Sequence, residues 1–149
     1  MRAGTQNIPL IVGFTEALSL AVQEREERIQ HVLPLRDYLI GHVLESIPET
    51  VLTGHPHARM PNHASFAFRD VDGNALLAIL DVAGYACSSG SACKTGDPEP
   101  SGVLTALGLD RNWAIGSLRV TLGVGTLPEH VQKFADSLVL AVNQARKIA

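Results

Sequence analysis

Nine consecutive residues, SSGSACKTG at 88–96, carry no bulky apolar side chain, and eight of the nine are Ser, Gly, Ala, Thr or Lys. No hydrophobic core can run through such a stretch. The fold must be built by the segments on either side of it, and the composition predicts a flexible loop between them. The ninth residue is Cys93. Free cysteine is usually a buried packing residue, so a cysteine in the least packable part of the chain calls for a chemical explanation.

The flanking segments alternate between two periods. Asn7 is placed to cap a helix that starts at Ile8-Pro9, with proline in the first turn. Ile11, Phe14, Leu18 and Val22 then fall on one helical face. A second helix reaches Ile47 with Val32, Leu35, Leu39 and Val43 on its stripe. Pro34 is expected to kink or restart that helix, and Pro48 to end it. Residues 49–53 and 64–69 read as short strands around a turn at Gly54-His55-Pro56. Asp72-Gly73-Asn74 opens an apolar helix over 75–82, closed by Gly84. Tyr85-Ala86-Cys87 reads as a short strand leading into the Ser/Gly loop. A short helix over 102–107 ends at Gly108, and LRVTL at 118–122 is another strand. Thr126 and Glu129 have the spacing of a capping box for a last helix with Val131, Phe134, Leu138 and Val142 on its stripe. The strands are short and unevenly spaced, so the pattern predicts an α+β fold, a small sheet covered by helices, in one domain spanning residues 1–149.

Charge and hydropathy exclude several classes. Twelve basic and 15 acidic residues give a net charge of -3, without a Lys/Arg cluster to contact nucleic acid. No apolar run reaches the about 18–20 residues of a membrane span, and the N-terminus lacks the layout of a signal peptide. The expectations are no nucleic acid, no membrane and a cytoplasmic location. Cys87 and Cys93 are too few and too close for a disulfide framework, and their spacing fits no common zinc pattern. His55, His57 and His63 fit a turn and its flanking strand better than a metal cluster, so no metal is expected. Residues 2–7 read as a connection continuing from something upstream.

Around Cys93, small side chains leave the sulfur uncovered, and an accessible thiol can act as a thiolate nucleophile. Lys94 lowers the thiol pKa modestly if it points the same way. A plain surface thiol is the commoner reading of composition by itself. Lys94-Thr95 after a strand suggests a phosphate-binding P-loop, but Ser88 and Cys93 stand where that motif needs glycine, and Pro98 and Pro100 block the helix that must follow.

The segment S-S-G-S-A-C, followed by E-P-S-x-V-L-x-A-L-G-L, resembles the active-site stretch of the cysteine desulfurases, pyridoxal-phosphate enzymes of the class V aminotransferase family. RAGTQNIPLIVGF, MPNHASFAF and GSLRVTLG resemble three further segments of that family, in the same order. Together the four span residues 2 to about 127.

The resemblance implies the fold of the C-terminal small domain of fold-type I pyridoxal-phosphate transferases. It also implies residue roles. Cys93 matches the nucleophile that takes sulfur from L-cysteine as a persulfide and releases L-alanine. Arg119 matches the arginine that holds the substrate carboxylate; without the surrounding motif, an ion pair would be its commoner role. Thr5 matches the threonine that reaches the cofactor phosphate of the partner subunit in a homodimer, and is otherwise an ordinary loop residue. A sulfur-acceptor protein in an iron–sulfur cluster or thiolation pathway is the implied partner. The family's Ser-x-His-Lys segment does not occur, and the three lysines are Lys94, Lys133 and Lys147. The expected chain is therefore the nucleophile-loop domain of a desulfurase, inactive until a pyridoxal-phosphate-binding large domain completes it. The alternatives are a cofactor-independent sulfur relay and a dimerisation or partner-docking module.

Overall fold

The computed structural model describes residues 4–89 and 100–148. Cys93 and Lys94 lie outside the described residues.

Helix α1 (Ile8–Gln23) begins where expected: the Asn7 side chain accepts a hydrogen bond from the Leu10 N–H, and Pro9 occupies the first turn. Helix α2 (Arg25–Ser46) follows after Glu24 alone. The i→i−4 ladder continues through the join, from Glu24 N–H to Leu20 O and from Arg28 N–H to Glu24 O. The two helices differ in what they bury. α2 sinks Val32, Leu39 and Val43 into the core, whereas α1 buries none of its residues. The stripe of Ile11, Phe14, Leu18 and Val22 is helical as predicted, but it is 49–68% exposed. Pro34 neither breaks nor restarts α2, which continues across it. Pro34 and Gln30 both face solvent, so water can meet the Gln30 carbonyl that proline leaves without a donor.

Three strands, β1 (Thr50–Leu52), β2 (His63–Phe68) and β3 (Ser117–Thr121), form an antiparallel sheet in the order β1-β2-β3. Register is Val51 opposite Ala67, and Ser65 opposite Arg119. Alternation then sorts the two faces. Ala64, Phe66, Phe68, Leu118 and Val120 point into the core, where they meet α2, α3 (Gly73–Val82) and α6 (Pro128–Ala145). α6 contributes Val131, Phe134, Leu138 and Val142, all buried as predicted. His63, Ser65, Ser117 and Arg119 belong to the opposite face.

Between β2 and β3 the chain runs through α3, α4 (Gly102–Ala106) and α5 (Arg111–Ala114). Asp72 caps α3 by accepting from the Asn74 N–H. Gly84 and Gly108 take φ of 87° and 85° where the helices before them end, the left-handed geometry that glycine adopts freely.

Two further expectations are corrected, and one element was not foreseen. Tyr85-Ala86-Cys87 forms no strand; only Ser88 bridges to the sheet, at Arg119. Thr126 does not cap α6, because its Oγ1 accepts from the Gly123 N–H; the cap is Leu127, whose N–H donates to His130 Nδ1. α5, a single turn, carries too few residues to show a helical period.

Candidate functional site

The polar face of the sheet opens into a cleft of about 460 Å³. Thr53 and Gly54 border it from the end of β1, His63 and Ser65 from β2, and Ser117 and Arg119 from β3. Ser101, Val103, Leu104 and Leu107, in and around α4, close the other side. The α4 residues supply an apolar wall and the strands a polar floor.

Arg119 reaches the cleft because it alternates with Leu118 and Val120, whose side chains are buried on the other face. Its Nε is buried, and its guanidinium makes neither hydrogen bond nor ion pair among the described residues. An unmatched guanidinium in a cleft is costly unless an anion meets it. The ion-pair alternative for Arg119 therefore has no carboxylate among the described residues to supply it.

The Arg119 backbone is pinned by Ser88. Arg119 N–H donates to Ser88 O at 2.6 Å, and Ser88 N–H donates to Arg119 O at 3.3 Å. Ser88 is the first residue of the Ser/Gly segment, and Ser101, just past its far end, lines the cleft. Both anchor points of the span that contains Cys93 thus lie beside Arg119.

His63 stands beside Arg119 on the same face, diagonal to it in the β2–β3 register. The neighbouring Asn62 extends the ladder: its backbone O accepts from the Leu122 N–H, and its Nδ2 donates to Leu122 O. The segment leading to His63 is braced by arginines. Arg59 donates to His55 O and Thr53 O, each at 2.9 Å, and Arg36 donates to Met60 O at 3.0 Å. Burial pushes the His63 pKa below the ordinary imidazole value, and the positive charges of Arg119 and Arg59 push it the same way. On the floor, the Thr53 hydroxyl donates to Ser65 Oγ at 2.7 Å.

Thr5 is exposed and lies elsewhere. It borders a shallow hollow of about 340 Å³ with Gly4, Asn7 and the first turns of α1, and none of these residues lines the Arg119 cleft. Cys87 is half-buried, and desolvation pushes its thiol up to about 11. Lys133 and Lys147 are exposed, Lys133 on α6 and Lys147 just after it, and neither lines the cleft. His55 Nδ1 accepts from the N–H groups of His57 and Ala58 and so closes the turn. Among the described residues no three His, Cys, Asp or Glu side chains come together as a metal site, and no helix is long and apolar enough to cross a membrane.

Sequence reasoning named Arg119 but not the residues around it. His63 and Ser65 were visible as the polar positions of the alternating stretch HASFAF. Their meeting with Arg119 depends on the register.

The family model for aminotransferase class-V matches residues 1–134. This chain belongs to that family. Its members are generally dependent on pyridoxal phosphate. The chain is 38% identical over 148 residues to "Cysteine desulfurase IscS" of Dictyoglomus turgidum, covering 99% of this chain and 38% of that protein. It is 40% identical to the protein of the same description in Methanosarcina thermophila, covering 99% of this chain and 36% of that one. A solved NifS-like protein of Rickettsia africae superposes with a TM-score of 0.81 at 25% identity, over 95% of this chain and 36% of that one. Another solved structure, titled "NIFS-LIKE PROTEIN", gives 0.80 at 28%, over 96% of this chain and 35% of that chain. The chain thus spans well under half the length of the relatives it matches.

Proposed function

We propose that residues 1–149 act as the nucleophile-loop domain of a cysteine desulfurase, moving sulfur from L-cysteine to Cys93 and on to an acceptor protein. The observation that carries this reading is the Arg119 guanidinium, without a partner among the described residues, in a cleft flanked by both anchors of the segment that holds Cys93.

Arg119 binds the substrate carboxylate. Guanidinium presents paired N–H groups in a plane, so one carboxylate can satisfy Nε and a terminal nitrogen together and be fixed in orientation. The apolar wall of α4 excludes water and strengthens that pairing. Cys93 is five residues beyond Ser88, a tether of at most roughly 18 Å, which lets the thiol reach the cleft. Its thiolate attacks the substrate sulfur. An S–S bond forms, the Cβ–S bond breaks with its electron pair left on Cβ, and Cβ takes a proton to depart as L-alanine.

Pyridoxal phosphate, when bound, supplies the electron-withdrawing ring that makes the Cβ–S bond breakable. This chain's residues fit part of such a centre. Arg119 suits the substrate side. Thr5, an exposed hydroxyl beside the N-terminus of the 16-residue α1, suits a phosphate. The family resemblance assigns that phosphate to the centre of the partner subunit in a homodimer, and Thr5 and Arg119 lining separate hollows is compatible with this. Neither Lys133 nor Lys147 lines the Arg119 cleft, and the family resemblance places the cofactor lysine in a large domain outside residues 1–149. The uncovered apolar face of α1 favours such packing, and also favours the docking-module reading if no sulfur transfer is found.

The test is to combine the chain with the remaining portion of a related cysteine desulfurase, pyridoxal phosphate and L-cysteine. L-alanine should appear together with a mass gain of one sulfur on the Cys93 peptide. Cys93→Ser should abolish that gain, and Arg119→Lys should raise KM for L-cysteine by roughly tenfold or more. A persulfide that survives Cys93→Ser overturns the assignment.

A further inference from the structure

The Arg119 cleft holds a second unpartnered group. His63 borders the same cavity, half-buried, and its ring nitrogens make no hydrogen bond among the described residues. The register puts it opposite Thr121, two residues along β3 from Arg119 on the same face. Cβ atoms so related are roughly 7–8 Å apart, within reach of long side chains. A carboxylate between them can accept from both, because its two oxygens diverge while the guanidinium saturates only one edge. Ser65, directly across from Arg119, receives the Thr53 hydroxyl on its Oγ and keeps its own hydroxyl proton for a partner.

We propose that His63 is a second carboxylate-facing residue of this cleft, its imidazole and the Arg119 guanidinium meeting one bound α-amino carboxylate. This rests on the reading of Arg119 as the carboxylate site. Among the described residues, the charged groups facing His63 are Arg119 from β3 and Arg59 from the segment between β1 and β2; both are positive. The lining supplied by residues 53–54 and 101–107 contains no titratable side chain. With the cleft empty, burial and these two cations hold the imidazole neutral. A bound carboxylate offsets the charge of Arg119 and supplies an acceptor, so it raises the His63 pKa and the ring takes up a proton from solvent. By linkage, the ligand that promotes protonation binds more tightly as pH falls through the His63 range.

The experiment uses the full 149-residue chain and L-alanine, which carries the α-carboxylate and lacks the thiol. L-Alaninamide, without the carboxylate, is the control. The His63 imidazole is titrated by NMR with and without saturating ligand. L-Alanine should raise its pKa by about one unit and L-alaninamide should not. Affinity for L-alanine should then rise about fivefold or more, and at most about tenfold, from pH 8.5 to pH 5.5. His63→Asn should flatten that dependence, and Arg119→Gln should weaken binding at every pH. If Arg119→Gln weakens binding while the His63 pKa is unmoved by L-alanine, the inference falls and the Arg119 reading stands. If Arg119→Gln leaves binding unchanged, both fall. The titration of the unsubstituted chain decides the matter even if His63→Asn folds poorly.

Discussion

The two cysteines make opposite chemical demands. Desolvation holds the Cys87 thiol near 11, against an ordinary value of 9.0, so at pH 8 roughly one molecule in a thousand carries the thiolate there, against about one in ten for an ordinary thiol. Alkylation at pH 8, followed by peptide mass spectrometry, should label Cys93 about a hundredfold faster than Cys87. Comparable rates would show that burial does not control Cys87. The same shift has a consequence for folding. A thiol whose pKa is higher in the folded than in the unfolded chain stabilises the fold below the unfolded value near 9. That contribution is lost as pH rises toward 11. Cys87→Ala should therefore reduce the loss of stability seen in denaturant titrations between pH 9 and 11.

At the scale of elements, the tightest constraint is where α5 hands the chain to β3. A Cβ at Gly116 would collide with the Phe68 carbonyl oxygen and stand 2.9 Å from the Val71 oxygen. Gly116 O also accepts from the Phe68 N–H at 2.9 Å. Neither backbone can retreat without breaking the β2–β3 register that sets His63 beside Arg119. Gly116→Ala should cost about 3 kcal/mol in urea unfolding and weaken carboxylate binding as well; a variant within 0.5 kcal/mol of the parent, on the scale of an ordinary surface change, would mean that this junction yields. The α6 cap follows a similar logic of competition. Thr126 has the side chain for a cap, but the turn back to Gly123 takes its oxygen first.

For the whole molecule, the asymmetry between α1 and everything after it matters most. One almost continuous helical run carries a face that buries nothing for 16 residues and then becomes part of the core. Because α1 adds no buried residue, Phe14→Glu with Leu18→Glu should leave unfolding free energy within about 0.5 kcal/mol per site. The same pair should weaken assembly with the proposed large domain, read by sedimentation and by loss of L-alanine production. A large drop in stability would mean that α1 is part of the folded body.

Period and punctuation carried much of this fold. The stripes of α2 and α6, the alternation in β2 and β3, the Asn7 and Asp72 caps and the stops at Gly84 and Gly108 all follow from side-chain spacing or from backbone geometry available to single residues. Arg119 and Thr5 were legible only through the family's motifs, since an arginine on a strand and a threonine in a loop have no local signature. What spacing cannot express is the partner of a face. The α1 stripe is as regular as that of α2, yet only packing distinguishes an exposed stripe from a buried one. Pro34 reads as a kink or a restart, but the helix runs on through it because the freed carbonyl faces solvent. Tyr85-Ala86-Cys87 has strand composition, but only Ser88 reaches the edge of β3. The meeting of His63 with Arg119 depends on the register of two strands far apart in the chain, a long-range contact that no local pattern encodes.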